Sequence, residues 1–212
     1  MKIAFIGAGK VGAAIAIHLA NAGHDVVLAE SSDGSASVAA ARARSSKLRA
    51  APAAAAVADA EVVFLATPYG ANEGVLRPLA GALRGKVLVD CTNPVGPGLS
   101  HGLESKRSGA AVVQELAPEA KVVKAFTIYG YENLDAPPPP AGALRPAMLF
   151  CGDDAAAKSA VAKLVADVGF EPVDVGGLAQ ALHLEHMTLL WIRMVRAGGA
   201  SPHTVWARLP RG

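Results

Sequence analysis

Short apolar runs alternate along the chain with longer segments in which apolar residues recur at helical spacing. The runs predict buried, mostly parallel strands, because they are nearly continuous Val, Ile, Leu and Ala; they are Lys2–Ile6, Asp25–Ala29, Glu61–Ala66, Lys86–Asp90, Lys121–Phe126, Ala147–Cys151 and Glu171–Val175. Helices are predicted between them over residues 10–22, 35–48, 71–84, 108–118 and 154–168. This alternation predicts an α/β fold with a doubly wound, mostly parallel sheet.

The last helical segment, 177–196, differs from the others because it is apolar on more than one face. Such a helix must be covered by the rest of the domain or by a second subunit. We therefore predict one α/β domain over residues 1–176 and a helical extension over 177–212, packed on that domain or at a dimer interface. Pro52 is predicted to begin a short helix, and the four prolines 137–140 to form a stiff extended loop.

The first predicted strand ends in the pattern Gly7-x-Gly9-x-x-Gly12, and a helix follows at once. In dinucleotide-binding Rossmann folds, the three glycines permit the tight turn, the approach of backbone to a pyrophosphate and close helix–sheet packing. The helix N-terminus adds N–H groups and the positive end of a dipole. Glu30 lies 18 residues beyond Gly12, near the spacing at which a carboxylate binds the adenosine ribose. The sequence therefore predicts a Rossmann site for NAD or NADP.

Polar residues also follow three other predicted strands, in the loops 67–70, 91–94 and 127–130. Because ligands bind beyond the carboxyl ends of parallel strands, we expect these loops to converge on one cleft. Thr67, Thr92 and Asn93 could bond a carboxamide or a ribose hydroxyl, and the prolines of the first two loops hold the backbone rigid. Ordinary turn chemistry is the alternative interpretation, since Thr-Pro and Asn-Pro pairs are common where loops begin.

The predicted coenzyme-binding residues combine the glycine turn, the end of the second strand and these loops. They are Gly7, Ala8, Gly9, Lys10, Val11, Gly12, Glu30, Ser31, Ser32, Thr67, Pro68, Tyr69, Asn93, Pro94, Ala125 and Thr127. No acid–base dyad is visible. His183 and His186 lie on one face of the last helix, and His186 is the candidate catalytic residue, although such histidines are more often packing residues. Hydride transfer between two bound cofactors needs alignment above all.

Composition and charge mainly exclude other classes of protein. The chain of 212 residues has 20 basic and 18 acidic residues, and its densest basic stretch lacks aromatic neighbours, so neither a nucleic-acid nor a membrane-surface partner is indicated. Cys91 and Cys151 form no metal-binding or disulfide pattern and are predicted to be buried reduced thiols. With no signal peptide or membrane span predicted, we expect a soluble, cytoplasmic protein that binds small molecules and no metal.

Motifs along nearly the whole chain resemble those of the coenzyme F420-dependent NADP oxidoreductases, small Rossmann proteins that pass hydride between NADP(H) and a deazaflavin. The matching segments are Phe5–Gly12, Ala66–Pro68, Asp90–Pro94, Val122–Phe126, Cys151–Asp154, Gly169–Val173 and Leu184–Ile192. The resemblance implies a nicotinamide over the carboxyl ends of the strands. It also implies a second cofactor near the loop after Phe126 and the C-terminal helices, and a homodimer.

Two positions depart from the family pattern. Members that take NADP usually carry Ser-Arg where this chain has Ser31-Ser32 after Glu30. A carboxylate at position 30 favours a free ribose hydroxyl and repels a 2′-phosphate, so it favours NAD, although Arg42 or Arg44 could reach a phosphate. Thr127 stands where the family often has Asn, which leaves F420, another flavin or a small carbonyl or imine as the hydride acceptor.

The sequence thus predicts an NAD(P)-dependent oxidoreductase that transfers hydride between a nicotinamide and a second acceptor. Two alternatives stay open. A small-substrate reductase, similar to hydroxyacid dehydrogenases or pyrroline carboxylate reductases, would need a catalytic lysine, and Lys124 is the lysine in a suitable place. A non-catalytic NAD(P)-binding sensor or regulatory subunit is the other alternative.

Overall fold

The computed structural model describes residues 1–30, 34–136 and 144–209. The strands in this part of the chain are β1 (Lys2–Ile6), β2 (Asp25–Glu30), β3 (Arg49–Pro52), β4 (Val62–Leu65), β5 (Val87–Asp90), β6 (Val95–Gly96), β7 (Ser100–His101), β8 (Lys121–Lys124), β9 (Ala147–Gly152) and β10 (Glu171–Asp174). The helices are α1 (Lys10–Asn21), α2 (Ala36–Arg44), α3 (Ala53–Asp59), α4 (Asn72–Leu79), α5 (Gly109–Leu116), α6 (Tyr131–Asp135), α7 (Ala155–Val168) and α8 (Ala181–Ile192).

The main sheet has eight strands in the order β10-β9-β8-β5-β4-β1-β2-β3, and β6 and β7 form a separate small hairpin. The strands from β3 to β8 in this order pair in parallel, whereas β9 is antiparallel to β8 and β10 runs parallel to β9. The predicted doubly wound, mostly parallel Rossmann sheet is therefore confirmed. The carboxyl ends of its six parallel strands share one edge, which is where a ligand is expected.

The central strands are buried on both faces, as their continuous apolar runs predict. Phe5 of β1 stacks on Phe64 of β4 with ring centroids 4.5 Å apart, and Phe64 contacts Phe126 beyond β8. Both predicted thiols, Cys91 and Cys151, are buried and free. The core thus lies directly beneath the edge at which the strands end, which makes that edge a rigid platform.

The structure differs from the predicted elements at the sheet edge. The helix predicted over 35–48 ends at Arg44, and residues Arg49–Pro52 form β3, which sequence reasoning missed. This Arg-Ala-Ala-Pro segment carries no β-branched residue, and its pairing with β2 holds it extended. The short helix predicted after Pro52 is confirmed as α3. The predicted proline loop at 137–140 lies outside the described residues.

The last predicted helix is shorter and less regular than expected. A 3₁₀ turn over Leu178–Gln180 precedes α8, and a π-turn over Arg193–Ala197 follows it. Trp191 of α8 is buried and donates its indole N–H to the carbonyl of Thr204, which holds the following segment against the helix. Within the described residues, none of the helices combines the length and apolarity needed to cross a bilayer.

Candidate functional site

The glycine turn after β1 is packed against the neighbouring strand end. Gly7 has φ of +96°, and a Cβ built there would lie 2.7 Å from the carbonyl carbon of Ala66. A Cβ at Gly12 would overlap the carbonyl oxygen of Gly7 and lie 3.1 Å from the Cβ of Ala66. Gly7 and Gly12 are therefore required by the fold itself, because the turn, α1 and the end of β4 meet without side chains between them.

Gly9 differs from its two partners because its surroundings are open. A Cβ built there meets no heavy atom within 4 Å, and the residue is exposed at the N-cap of α1. The first N–H groups of α1, from Lys10 to Gly12, have no intrahelical acceptors, and no acidic residue stands in the first turn. Open space over a helix N-terminus fits a diphosphate, which accepts those N–H groups and complements the dipole.

A groove of about 280 Å³ lies beside this turn, between α1 and α2. It is lined by Ala8, Gly9, Lys10, Ala13, Ser37, Ala40, Ala41 and Arg44. The Lys10 ammonium lies 4.4 Å from the ring centroid of Tyr131, and Arg44 pairs with Asp135. Glu30 ends β2 on the same side of the turn. Among the described residues, Lys10, Arg44 and Glu30 thus lie in the region expected to receive the adenosine, with Arg44 already paired with Asp135. The predicted site residues Ser31 and Ser32 lie outside the described residues.

The loops that follow β4, β5 and β8 converge, as the sequence predicts. Thr67 donates its hydroxyl proton to Asn72 Oδ1 at 2.8 Å, and Asn72 donates from Nδ2 to Thr92 Oγ1 at 2.9 Å, which joins the first two loops. Asn93 Nδ2 lies 3.4 Å from the carbonyl oxygen of Thr127, which joins the second loop to the third. The three loops therefore lie side by side at the carboxyl ends of these strands, where a ligand cleft is expected.

α8 lies against the same loops. The Thr188 hydroxyl is 3.1 Å from Asn93 Oδ1 and 2.9 Å from the carbonyl oxygen of Thr127. Because Asn93 already contacts Thr188 and Thr127 with both ends of its amide, it positions the loops as well as offering a remaining N–H to a ligand. Of the predicted prolines, Pro94 is buried in this packing and Pro68 is exposed.

The third loop has two features typical of a ligand site. Phe126 has φ of +58°, a strained conformation for a residue with a bulky side chain. The buried Thr127 hydroxyl oxygen has no hydrogen-bond partner among the described residues. Ala125, the first residue of the loop, is buried and bonds from its N–H to the carbonyl of Asp90. A bound group with a hydrogen-bonding edge would satisfy the Thr127 hydroxyl.

A buried ionic cluster, which we define as Asp90, Lys124, Glu185 and His101, lies under these loops. Lys124 is 0% exposed, and its Nζ lies 2.9 Å from Asp90 Oδ2 and 3.1 Å from Glu185 Oε1. It also donates to the carbonyl of Thr92. Burial lowers the pKa of Lys124, but the two carboxylates outweigh this and leave that pKa above its ordinary value. All three ammonium protons are bonded, so Lys124 is a structural cation and not the catalytic lysine of a small-substrate reductase.

Glu185 connects α8 to the rest of the cluster. Its carboxylate accepts N–H groups from Gly109 at 3.0 Å and Ala110 at 3.2 Å, at the N-terminus of α5. Burial raises the pKa of Glu185, but Lys124 and the hydrogen bonds from His101 and the α5 backbone hold the pKa below its ordinary value. The carboxylate therefore stays ionised and ties α8 to both β8 and α5.

His101 has a defined tautomer. Its Nδ1 accepts backbone N–H groups from Leu103 and Ser105, so the ring proton is on Nε2, which donates to Glu185 at 2.8 Å. His186, the candidate catalytic residue, lies on the exposed side of α8, with Nε2 2.9 Å from the hydroxyl of Ser105. Its ring contacts that of His101 edge to face. The structure therefore places His186 beside the cluster but outside it.

Tyr69 lies half-buried beside the cluster at the mouth of the cleft. A Cβ built at Gly109 would lie 2.8 Å from its ring and 3.1 Å from the ring of Pro94. Burial, reinforced by the charge of Glu185, raises the pKa of the phenol, which therefore stays neutral at physiological pH.

Sequence reasoning missed five polar residues that build this part of the site: Asn72, Asp90, His101, Glu185 and Thr188. The signal in the sequence was the type of residue, a polar side chain in an apolar segment, and not its position in a motif. Asp90 and Lys124 are the last residues of two strands with apolar, buried centres, and Glu185 and Thr188 lie on a strongly apolar helix. Ionisable residues in such segments must find partners, because an unpaired buried charge is costly.

Comparison with known proteins identifies the family of this chain. Residues 2–94 match the family model described as NADP oxidoreductase, coenzyme F420-dependent. The metalloreductase STEAP3 of Rattus norvegicus is 35% identical over 134 residues, which cover 63% of this chain and 26% of that protein. The F420-dependent NADP reductase of Methanothermobacter marburgensis is 35% identical over 103 residues, 45% of this chain and 46% of the reductase. The chain thus spans about a quarter and about half of the length of these relatives.

Two solved structures resemble the chain over most of their length. A candidate F420-dependent NADP reductase from Arthrobacter sp. FB24 superposes with a TM-score of 0.82 at 30% identity, covering 94% of this chain and 95% of that one. A hypothetical protein from Sinorhizobium meliloti gives 0.76 at 32% identity, with 85% and 88% covered. The glycine turn, the sheet and these similarities agree, and the chain therefore belongs to the family of coenzyme F420-dependent NADP oxidoreductases.

Proposed function

We propose that the protein is an NADP-dependent oxidoreductase that transfers hydride between a nicotinamide ring and a second acceptor. The open space over Gly9 carries the proposal, because it lies at the same sheet edge as the converging loops after β4, β5 and β8. A diphosphate bound at α1 would direct one half of a dinucleotide towards Glu30 and the other half along these loops. The family membership and the reductase relatives support an enzyme over the alternative of a non-catalytic sensor.

The residues of the cleft would bind the coenzyme and orient its nicotinamide ring. The bound coenzyme supplies the chemistry, a hydride at C4 of the nicotinamide. The N–H groups from Lys10 to Gly12 hold the diphosphate, while Thr67 and Thr127 offer hydroxyl groups to the nicotinamide half. Because the loops are tied to one another and to α8, the ring would be held in one place, and alignment of donor and acceptor is the main requirement for hydride transfer.

The proposed acceptor is a deazaflavin or flavin, and it would enter between Tyr69 and α8. The family name and the Methanothermobacter relative support this class of acceptor. Reduction of such a ring takes up one proton together with the hydride. His186 is the proposed proton donor, because an imidazole can act as a general acid and this one is exposed, with Ser105 as a hydrogen-bond partner.

NADP is the proposed coenzyme. Lys10 and Arg44 line the groove beside the glycine turn, and these two cations support binding of the additional phosphate of NADP, for which Arg44 would exchange its ion pair with Asp135. The carboxylate of Glu30 disfavours a 2′-phosphate. The preference for NAD predicted from this residue therefore stays a prediction, which the measured affinities for the two coenzymes would decide.

A homodimer and a cytoplasmic location complete the proposal. Leu190 of α8 is 51% exposed although the helix is strongly apolar, which supports contact with a second subunit. The division into a domain over 1–176 and an extension over 177–212 also stays a prediction. The ion pair between Glu185 and Lys124 and the hydrogen bond from Thr188 to the carbonyl of Thr127 support packing of the extension on the α/β domain.

The decisive experiment measures the binding and the oxidation of NADPH. We expect the purified protein to bind NADPH in a fluorescence titration and to oxidise it when F420, FMN or a cyclic imine is supplied. Gly9→Trp should abolish both by filling the space over the turn. Gly81→Trp is the matched control, since Gly81 is also exposed with open surroundings but lies in the segment between α4 and β5. Absence of binding of both NADPH and NADH to the wild-type protein would refute the proposal.

A further inference from the structure

A continuous chain of hydrogen bonds joins the buried ionic cluster to Thr67 in the cleft. Lys124 Nζ lies 2.9 Å from Asp90 Oδ2, and the Thr92 hydroxyl lies 2.7 Å from Asp90 Oδ1. Asn72 Nδ2 lies 2.9 Å from that hydroxyl, and the Thr67 hydroxyl lies 2.8 Å from Asn72 Oδ1. Asp90, Asn72 and Thr92 are each at most 3% exposed, so water does not compete for these bonds.

The ion pair between Asp90 and Lys124 determines which group donates in each hydrogen bond at the buried end of this network. Asp90 is paired with the Lys124 ammonium and also accepts the N–H of Thr92 at 2.9 Å, so both of its oxygens only accept. The Thr92 hydroxyl must therefore give its single proton to Asp90. Its oxygen can still accept, and of the two ends of the Asn72 amide only the NH₂ group can donate to it.

The direction of the next two hydrogen bonds, as far as Thr67, is fixed in the same way. With its NH₂ group on Thr92, Asn72 must turn Oδ1 towards Thr67. Thr67 then gives its only hydroxyl proton to Asn72, and its oxygen offers lone pairs alone to anything bound beside it. A hydroxyl that could ordinarily act either way is thus made an acceptor by an ion pair on neighbouring strands.

The position of Thr67 indicates what it would meet. Its backbone nitrogen would lie 2.9 Å from a Cβ built at Gly7, so the residue borders the glycine turn on the side of β4. We propose that Thr67 is a specificity-determining residue that accepts a hydrogen bond from the nicotinamide half of the coenzyme, and that Asn72 is its positioning residue. This inference rests on the proposed function. The donor is an N–H of the carboxamide or a hydroxyl of the adjoining ribose.

The test compares three ligands by calorimetric titration. NADP⁺ carries both possible donors, its 3-acetylpyridine analogue lacks the amide N–H, and 2′,5′-ADP lacks the whole nicotinamide riboside. Thr67→Val removes the acceptor with little change of shape, and Thr67→Ser restores it. Thr204→Val is the matched control for the substitution, because Thr204 accepts hydrogen bonds through its backbone carbonyl.

We expect Thr67→Val to weaken NADP⁺ binding about tenfold, the effect of losing one hydrogen bond in a closed site, and to change 2′,5′-ADP binding less than about twofold. Thr67→Ser and Thr204→Val should bind NADP⁺ as the wild type does. If the carboxamide is the donor, Thr67→Val will not further weaken binding of the acetylpyridine analogue. If the ribose is the donor, it will weaken that analogue and NADP⁺ equally.

Asn72→Leu tests the positioning role. It frees the proton of Thr67, so we expect NADP⁺ to bind several-fold more weakly while the affinity for 2′,5′-ADP stays within about twofold. An equal loss for both ligands, or an unchanged affinity of Thr67→Val for NADP⁺, would overturn the inference while leaving the proposed function intact. If wild-type protein binds neither NADP⁺ nor 2′,5′-ADP, the proposed function falls and the inference falls with it.

Discussion

The glycine turn and the buried ionic cluster lie at the same edge of one sheet, but they are built in different ways. The turn is a contiguous segment, Gly7 to Gly12, whose close packing requires that Gly7 and Gly12 carry no side chain. The cluster consists of four charged or titratable side chains from β5, β7, β8 and α8, none adjacent in sequence. Backbone shape is a local property, whereas a buried charge is stable only where the fold brings its partners to it.

Substitutions in the glycine turn should have the largest effect on stability, and they separate the structural role of Gly12 from the coenzyme-binding role of Gly9. Gly12→Ala places a Cβ onto the Gly7 carbonyl, so we expect it to lower the free energy of unfolding by about 4 kcal/mol or more, the range of severe steric changes. Gly9→Ala, with open surroundings, should leave stability within about 0.5–1 kcal/mol, the usual Gly–Ala difference, while weakening NADPH binding. Urea denaturation measures the first effect, and equal losses in the two variants would contradict this division of roles.

Breaking the cluster should be nearly as damaging, because a charge is left unpaired. Lys124→Met leaves Asp90 and Glu185 buried without their cation, and we expect a loss of about 3–5 kcal/mol in the free energy of unfolding. Lys121→Met, at the exposed start of the same strand, is the control and should cost less than about 1 kcal/mol. A loss below 1 kcal/mol for Lys124→Met would show that the cluster does not hold the loops.

Lowering the pH should reduce the contribution of the buried ionic cluster to stability and leave that of the glycine turn unchanged. Because the pKa of Glu185 is lower in the folded protein than in the unfolded chain, its contribution is complete above the unfolded pKa of about 4.3 and is lost as pH falls through the folded pKa. We expect the wild type to lose more stability than Glu185→Gln between pH 7 and pH 3.5, measured by urea denaturation at each pH. Parallel losses in the two proteins would show that Glu185 is not linked to unfolding.

The smallest expected effect concerns coenzyme choice. Glu30→Gln removes the carboxylate at the end of β2, so the ratio of the NADH to the NADPH dissociation constant should rise about two- to fivefold, as for an exposed charge pair. Glu61→Gln, which removes an exposed carboxylate beside β4, controls for net charge. An unchanged ratio would mean that Glu30 points away from the ribose.

The sequence predicted the elements of the central sheet and the glycine turn because each depends on short-range rules. Continuous apolar runs indicated buried strands, and the spacing of Gly7, Gly9 and Gly12 indicated the turn. Two features of the sheet escaped prediction. β3 lacks strand-forming residues and is held only by its neighbour, and the reversal of β9 leaves no trace in an apolar run that reads the same in either direction.

The site was predicted only as far as the strand ends. Thr67, Asn93 and Thr127 were expected near one cleft, but the partners that orient them, Asn72 and Thr188, are ordinary polar residues in their own segments. Their roles follow from proton counting, which needs to know which atoms face each other.

What the sequence determined by itself is therefore a Rossmann sheet with a dinucleotide turn at its first strand, because glycine content and apolar periodicity act over a few residues. What only the tertiary structure decided is the chemistry of the opposite half of the cleft. There, residues up to 95 positions apart along the chain meet, as in the bond between Thr188 and Asn93. Each hydrogen-bonding direction is set by a neighbour on another strand or helix, so it exists only once the chain has folded.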